Sequence, residues 1–176
     1  MELLECRLAV ADLDAFLERI ATIADQYQVT IQTFDANYVA DRTHLERAVA
    51  FADRAIDRGE NVARDRAVEI LLYAAGRRQI DRALEMGVAE GECNAVVLVD
   101  ADPASGDDRE PDSREFGAIE DLAALESVLE QISTLKAPDT EVLRTFFDIS
   151  EAELAATDAS LAALVCERVA LLEVKK

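Results

Sequence analysis

Leu4, Cys6, Leu8 and Val10 alternate with polar or small neighbours over most of the stretch from Leu3 to Val10, the period-two signature of a strand. Asp12 then offers an N-cap for a helix through about Ala24, where Leu13, Phe16, Leu17, Ile20, Ile23 and Ala24 recur at three and four. Val29-Thr30-Ile31-Gln32-Thr33-Phe34 returns to clean alternation with β-branched residues, a second strand whose expected partner is the first. Asp41 or Thr43 caps a helix carrying Leu45, Ala48, Val49, Ala52 and Ile56, and Gly59 stops it. Ala67, Ile70, Leu71 and Ala74 make the inward stripe of a helix from about Asp65 to Ala75, with Gly76 placed for a left-handed C-terminal residue. A shorter helix is expected from Arg78 to Met86, closed by Gly87.

Cys93-Asn94-Ala95-Val96-Val97-Leu98-Val99 is nearly continuous in apolar residues, which suits an interior strand covered on both faces. Residues 100–118 change character, with Asp, Glu, Pro, Ser and Gly dominating, and read as an acidic loop insertion. Helices resume at about Ile119 to Leu135 and Thr140 to Phe147. Ser150 with Glu153 has capping-box spacing, and a helix from about Ala159 to Arg168 leads into Val169-Ala170-Leu171-Leu172-Glu173-Val174, read as a terminal strand central to the sheet. No internal repeat is present. The sum is an α/β class (α+β, mixed sheet) with about four strands flanked by helices, in one domain over residues 1–176.

Composition sharpens this picture. With 51% hydrophobic residues the chain has material for a core. Its 37 acidic against 18 basic residues give a net charge of −19, and only Lys136, Lys175 and Lys176 are lysines among the basic set. An acidic partner-binding protein would gather this excess in a patch or tail. Here Asp and Glu are spread over nearly every segment, so the excess is a whole-surface property whose self-repulsion concentrated salt relieves. That is a halophile's surface. Cys6, Cys93 and Cys166 form no close pair and each sits in an apolar run, as small hydrophobes do in a reducing cytoplasm. The N-terminus lacks a signal peptide's pattern and no charge-free run approaches the ~20 residues needed to span a bilayer. The expectation is a cytoplasmic protein with no membrane role.

Candidate chemistry is sparse. Dinucleotide, phosphate-loop, nucleophile-elbow and zinc-protease motifs are all missing from the sequence, which points to no cofactor and no metal. His44, the single histidine, could be a general base, but at a helix start it more often serves structure. Cys93 would need a neighbouring base to act as a nucleophile and reads as inert. The expectation is that the protein is not an enzyme. Gly76-Arg77-Arg78-Gln79-Ile80-Asp81-Arg82 is a rare positive cluster at a helix junction. Such a junction can bind phosphate. Equally, Arg78, Asp81, Arg82 and Glu85 can form a surface ion-pair ladder, which spacing alone favours. The helices near Val142, Leu143, Phe146 and Phe147 and near Leu161 and Val165 carry more apolar residues than one inward stripe needs, so they are candidate partner-binding faces unless both faces are covered within the molecule.

The stretches Phe34 to Ala48 and Glu69 to Leu84, the second containing Glu69-Ile70-Leu71-Leu72-Tyr73-Ala74-Ala75-Gly76-Arg77-Arg78-Gln79-Ile80, resemble the small regulatory subunit of the KEOPS complex, called TPRKB in animals. Glu167 to Val174 resembles the end of the same family, while residues 100–118 have no counterpart in it. The resemblance implies a mixed α/β fold without catalytic activity. It also implies binding to the complex's small atypical kinase/ATPase subunit and, through it, an indirect link to the catalytic subunit. Capture of tRNA by its 3′ CCA end is implied as well, for threonylcarbamoylation of an adenosine. A molecule so negative would have to grip RNA at a small pocket, for which Asn37, His44, Gly76, Arg77, Arg78, Gln79 and Arg82 are the candidates. The competing reading is a stand-alone α/β domain binding a small-molecule effector at the same junction.

Overall fold

The structure is a computed structural model that describes residues 1–101 and 109–174. In chain order its elements are β1 (Glu2–Val10), α1 (Leu13–Tyr27), β2 (Val29–Asp35), α2 (Arg42–Asp57), α3 (Arg66–Ala74), α4 (Ile80–Ala83), β3 (Gly91–Ala101), α5 (Pro111–Ala123), β4 (Val128–Gln131), α6 (Thr140–Phe146), α7 (Glu151–Ala155) and α8 (Leu161–Val174). Short 3₁₀ turns occupy Ala36–Tyr38 and Leu84–Met86. The expected class holds: a four-stranded antiparallel sheet with helices around it. The elements gather into two compact units, one from residues 1–35 and 88–134, the other from 36–87 and 135–174.

The first unit contains the sheet, in the order β2-β3-β1-β4. β3 is interior, as its apolar run predicts, and both alternating sets, Ala95/Val97/Val99 and Val96/Leu98, are buried. It runs antiparallel to β1 (Glu2↔Val99 through Val10↔Gly91) and to β2 (Val29↔Ala101 through Asp35↔Ala95). The expected β1–β2 pairing is therefore wrong. A 15-residue helix joins those strands, which cannot be a tight hairpin, and β3 fills the gap between them. One face of the sheet, with Leu4, Cys6, Leu8, Ala95 and Val97, packs against Phe16, Ile20 and Ile23 of α1 and Ala118 and Leu122 of α5.

Three sequence expectations fail here. The acidic loop at 100–118 is strand to Ala101 and helix from Pro111, with residues 102–108 outside the described part. Pro111 stands in the first helical turn, where a missing N–H costs nothing. Glu115 is buried and accepts from the Ala101 N–H at 2.8 Å, while Arg114 donates to the Gln28 carbonyl at 2.8 Å and closes the end of α1. The helix expected from 119 to 135 ends at Ala123, and β4 pairs with β1 across a bulge at Arg7/Leu8. The terminal strand is the second half of α8 instead, and Lys175 and Lys176 lie outside the described residues.

The second unit is helical. α2 packs on α3 and α8, burying Leu45, Ala48 and Ala52 with Ile70, Leu71, Val165 and Val169. Asp41, Asp65, Asp139 and Ser150 cap their helices by accepting from the N–H groups of His44, Val68, Val142 and Glu153. The left-handed Gly76 (φ +59°) ends the α3 region, with its Cα against the Arg168 backbone.

Candidate functional site

The positive cluster begins where α3 stops. The Arg77 N–H bonds the Leu72 carbonyl and turns the chain into α4, so the three guanidiniums leave a tight corner in different directions. Arg77 donates to the Phe146 carbonyl, stands 5.3 Å from the Phe146 ring centre, and lies 3.5 Å from the Asp148 carboxylate. With Arg168, which donates to the Phe147 and Asp148 carbonyls, it satisfies the orphan carbonyls at the end of α6. Arg78 turns the other way, donating to the Leu172 carbonyl of α8 at 3.0 Å. Arg82 remains, 68% exposed, with Glu85 at 3.5 Å. The guanidiniums do not converge, so no phosphate clamp is built. The ion-pair ladder is also reduced, to Arg82–Glu85.

His44 is corrected as a nucleic-acid contact. It is completely buried. Its Nδ1 accepts the Ala40 N–H at 3.3 Å, its Nε2 lies 2.8 Å from the Ala74 carbonyl, and the Phe147 ring meets it edge-on at 5.6 Å. Burial pushes its pKa below the ordinary histidine value, so it is neutral and holds the approach to α2 against the end of α3. Asn37 is exposed on the turn before α2. Burial also raises the cysteine thiols, Cys6 to about 11, and Cys93 and Cys166 in the same direction, which disfavours the thiolate that nucleophilic chemistry needs.

Four of the six expected partner-binding residues lie inside the molecule. Leu143, Phe146, Phe147 and Val165 are buried within the second unit; Val142 and Leu161 are only partly exposed. Their apolar excess goes inward on more than one side. Large apolar side chains are exposed at Leu17, Val62, Phe116, Leu129 and Leu171, and as a pair on the α4 turn, where Ile80 is 43% and Leu84 56% exposed, one helical turn apart through the Leu84 N–H to Ile80 carbonyl bond. Ala83 and Met86 are the turn's buried residues. The sequence carried that signal: Ile80, Ala83, Leu84 and Met86 are two apolar pairs on a turn that can bury only one.

On the opposite flank of the turn, Gln79, Arg82 and Glu85 line a cleft of about 720 Å³, completed by Tyr38, Arg77 and residues of α6 and its ends, among them Asp139, Glu141, Phe146 and Asp148. The Tyr38 and Phe146 rings meet edge-on at 5.0 Å. Two guanidiniums face four carboxylates across this cleft. One short turn thus presents an apolar flank and a polar, aromatic-lined flank.

A family model described as "Kinase binding protein CGI-121" matches residues 10–173. The chain belongs to that family. No curated protein sequence matches it. Membership in the CGI-121 family brings a kinase partner, in agreement with the resemblance of the sequence to the KEOPS regulatory subunit. It is a kinase-binding family and not itself a catalytic one. The match runs through both compact units. Among the described residues, no helix of this CGI-121 protein is long and apolar enough to cross a membrane.

Proposed function

We propose that this chain is the non-catalytic, kinase-binding subunit of a cytoplasmic KEOPS-type complex that makes threonylcarbamoyladenosine in tRNA. Its α4 turn bridges two partners. The exposed pair Ile80 and Leu84 docks the small atypical kinase/ATPase subunit, and through that kinase the chain reaches the catalytic subunit. The observation that carries this is an apolar pair left in solvent on a strongly charged molecule of a kinase-binding family. The opposite flank, with Tyr38, Gln79 and Arg82, receives the unpaired 3′ CCA end of the tRNA. Because Arg77 and Arg78 are engaged within the molecule, that contact relies on stacking and base-edge hydrogen bonds.

A tagged chain purified from its native cell in multimolar KCl is expected to bring a small kinase and a metal-dependent acyl-transfer subunit with it. Recovery without either, but with a bound small molecule, favours the effector-binding domain instead.

The charge belongs to the same proposal. At −19 the surface is built for concentrated salt, where a Debye length of roughly 3 Å at 1 M confines repulsion to near neighbours. The helical circular dichroism signal is expected to be complete in multimolar KCl and to collapse at low ionic strength. A chain fully folded at low salt would remove the halophilic reading and leave kinase binding untouched.

A further inference from the structure

We infer that a single buried water molecule, and not an ion, is bound between Glu69, Tyr73 and Arg78, and that it fixes the direction in which Arg78 leaves the corner. The starting point is Glu69. It is 2% exposed and stands in the first turn of α3, where its Oε2 accepts the N–H groups of Val62 at 3.0 Å and Ala63 at 2.8 Å. Its Oε1 accepts no hydrogen bond among the described residues. A carboxylate oxygen so deep in a protein is strongly destabilising unless a donor reaches it.

Tyr73 lies four residues further along the same face of α3 and is 3% exposed. Its ring stacks on Phe51 with centres 6.0 Å apart, and its hydroxyl has no partner among the described residues. Burial, and after it the neighbouring Glu69 carboxylate, raises the pKa of that hydroxyl, so it keeps its proton and can donate. The Arg78 guanidinium stands close enough to oppose that shift, while donating to the Leu172 carbonyl at 3.0 Å.

These three side chains line one pocket, whose apolar walls are Val62, Leu72 and Leu172. The space left among them is about 10 Å³, enough for one water molecule and for nothing larger. Its charged lining is balanced, Glu60 and Glu69 against Arg77 and Arg78, so it draws neither a cation nor an anion. A water answers all three groups at once. It donates to Glu69 Oε1, shares a hydrogen bond with the Tyr73 hydroxyl and accepts one from Arg78. Seated there, it tethers Arg78 to α3 on one side while Leu172 holds it on the other, which keeps this guanidinium turned away from Arg77.

Oxygen-17 magnetic relaxation dispersion of the full chain in multimolar KCl tests this, because it counts waters held longer than the protein tumbles. Tyr73→Phe and Arg78→Leu each remove one partner, and the double variant should lose the amplitude of about one long-lived water. Waters bound elsewhere contribute to both proteins and cancel in the difference. Tyr73→Phe alone keeps the ring on Phe51 and should lose amplitude in the same direction, which guards against a double variant that does not fold. Unchanged amplitude in Tyr73→Phe and in the folded double variant would overturn the inference. So would anomalous scattering at this spot in crystals soaked in rubidium or bromide salts, which would assign the site to an ion.

Discussion

Ile80→Glu should weaken the kinase complex severely while leaving the chain folded. Ile80 is 43% exposed and its side chain contributes little to the core formed by Ala83 and Met86. A polar substitution there is expected to change stability by less than about 0.5 kcal/mol. In a kinase interface the same carboxylate would be buried in an apolar contact without a partner, next to Leu84. Apolar anchors of this kind are worth about 2 kcal/mol or more, and an unpaired buried charge adds to the loss. The dissociation constant for the kinase, measured by calorimetry in concentrated KCl, should rise by about 30-fold or more. Leu84→Glu should act alike, whereas Arg82→Ala, on the opposite flank, should leave kinase affinity within about threefold. Unchanged kinase affinity in both apolar variants would move the docking surface elsewhere on the molecule.

The location of that surface shows what the sequence did and did not reveal. The pattern placed β1, β2, α1, α2 and α3 close to where they fold because each carries a period of two or of three to four, and β3 because its apolar run is nearly unbroken. It failed where two signals competed. Val169 to Val174 is apolar at every position but Glu173, which reads as a buried strand; it is helix because α8 packs on α2 and α3, burying Leu164, Val165, Cys166, Val169 and Leu172. Pro111 to Gly117 has the polar composition of a loop, yet begins with proline at a helix start and buries Arg114 and Glu115 through specific hydrogen bonds. β4 is four residues long at a sheet edge, with Leu129 exposed, so it has almost no inward pattern to detect.

The candidate site divides in the same way. Residue identity located the Gly76–Arg82 corner but not the direction of its side chains. Arg77 and Arg78 point apart because two helix ends, those of α6 and α8, present carbonyls on either side of the corner. No local pattern encodes that. The same holds for Phe146 and Phe147: an excess of apolar residues indicates a second contact surface, but here that surface is intramolecular. Tyr38 entered the cleft unannounced, since its partner Phe146 lies more than a hundred residues away.

His44 carries the other large expected effect. Substitution by Ala removes a fully buried ring, leaves the Ala40 N–H and the Ala74 carbonyl without their partner, and opens a cavity beside Phe147. Unsatisfied buried groups cost about 1–3 kcal/mol each and the lost packing adds to them, so His44→Ala should destabilise the chain by about 3–5 kcal/mol. The effect should also depend on pH, with a defined sign. The folded pKa of His44 lies below the ordinary 6.5 because burial disfavours the charged ring. A proton on Nδ1 would replace the acceptor for Ala40 with a second donor. The unfolded chain therefore takes up a proton first, near 6.5, and the histidine's contribution is fully present above that pH. Below it the contribution falls by up to about 1.4 kcal/mol per pH unit until the folded pKa is reached. Denaturation in concentrated KCl at a series of pH values would measure this as the difference between wild type and His44→Ala. The many carboxylates titrate in both proteins and largely cancel in that difference. The gap should narrow steadily as pH drops below 6.5. A gap that stays constant between neutral and mildly acidic pH would mean that burial does not hold the ring neutral.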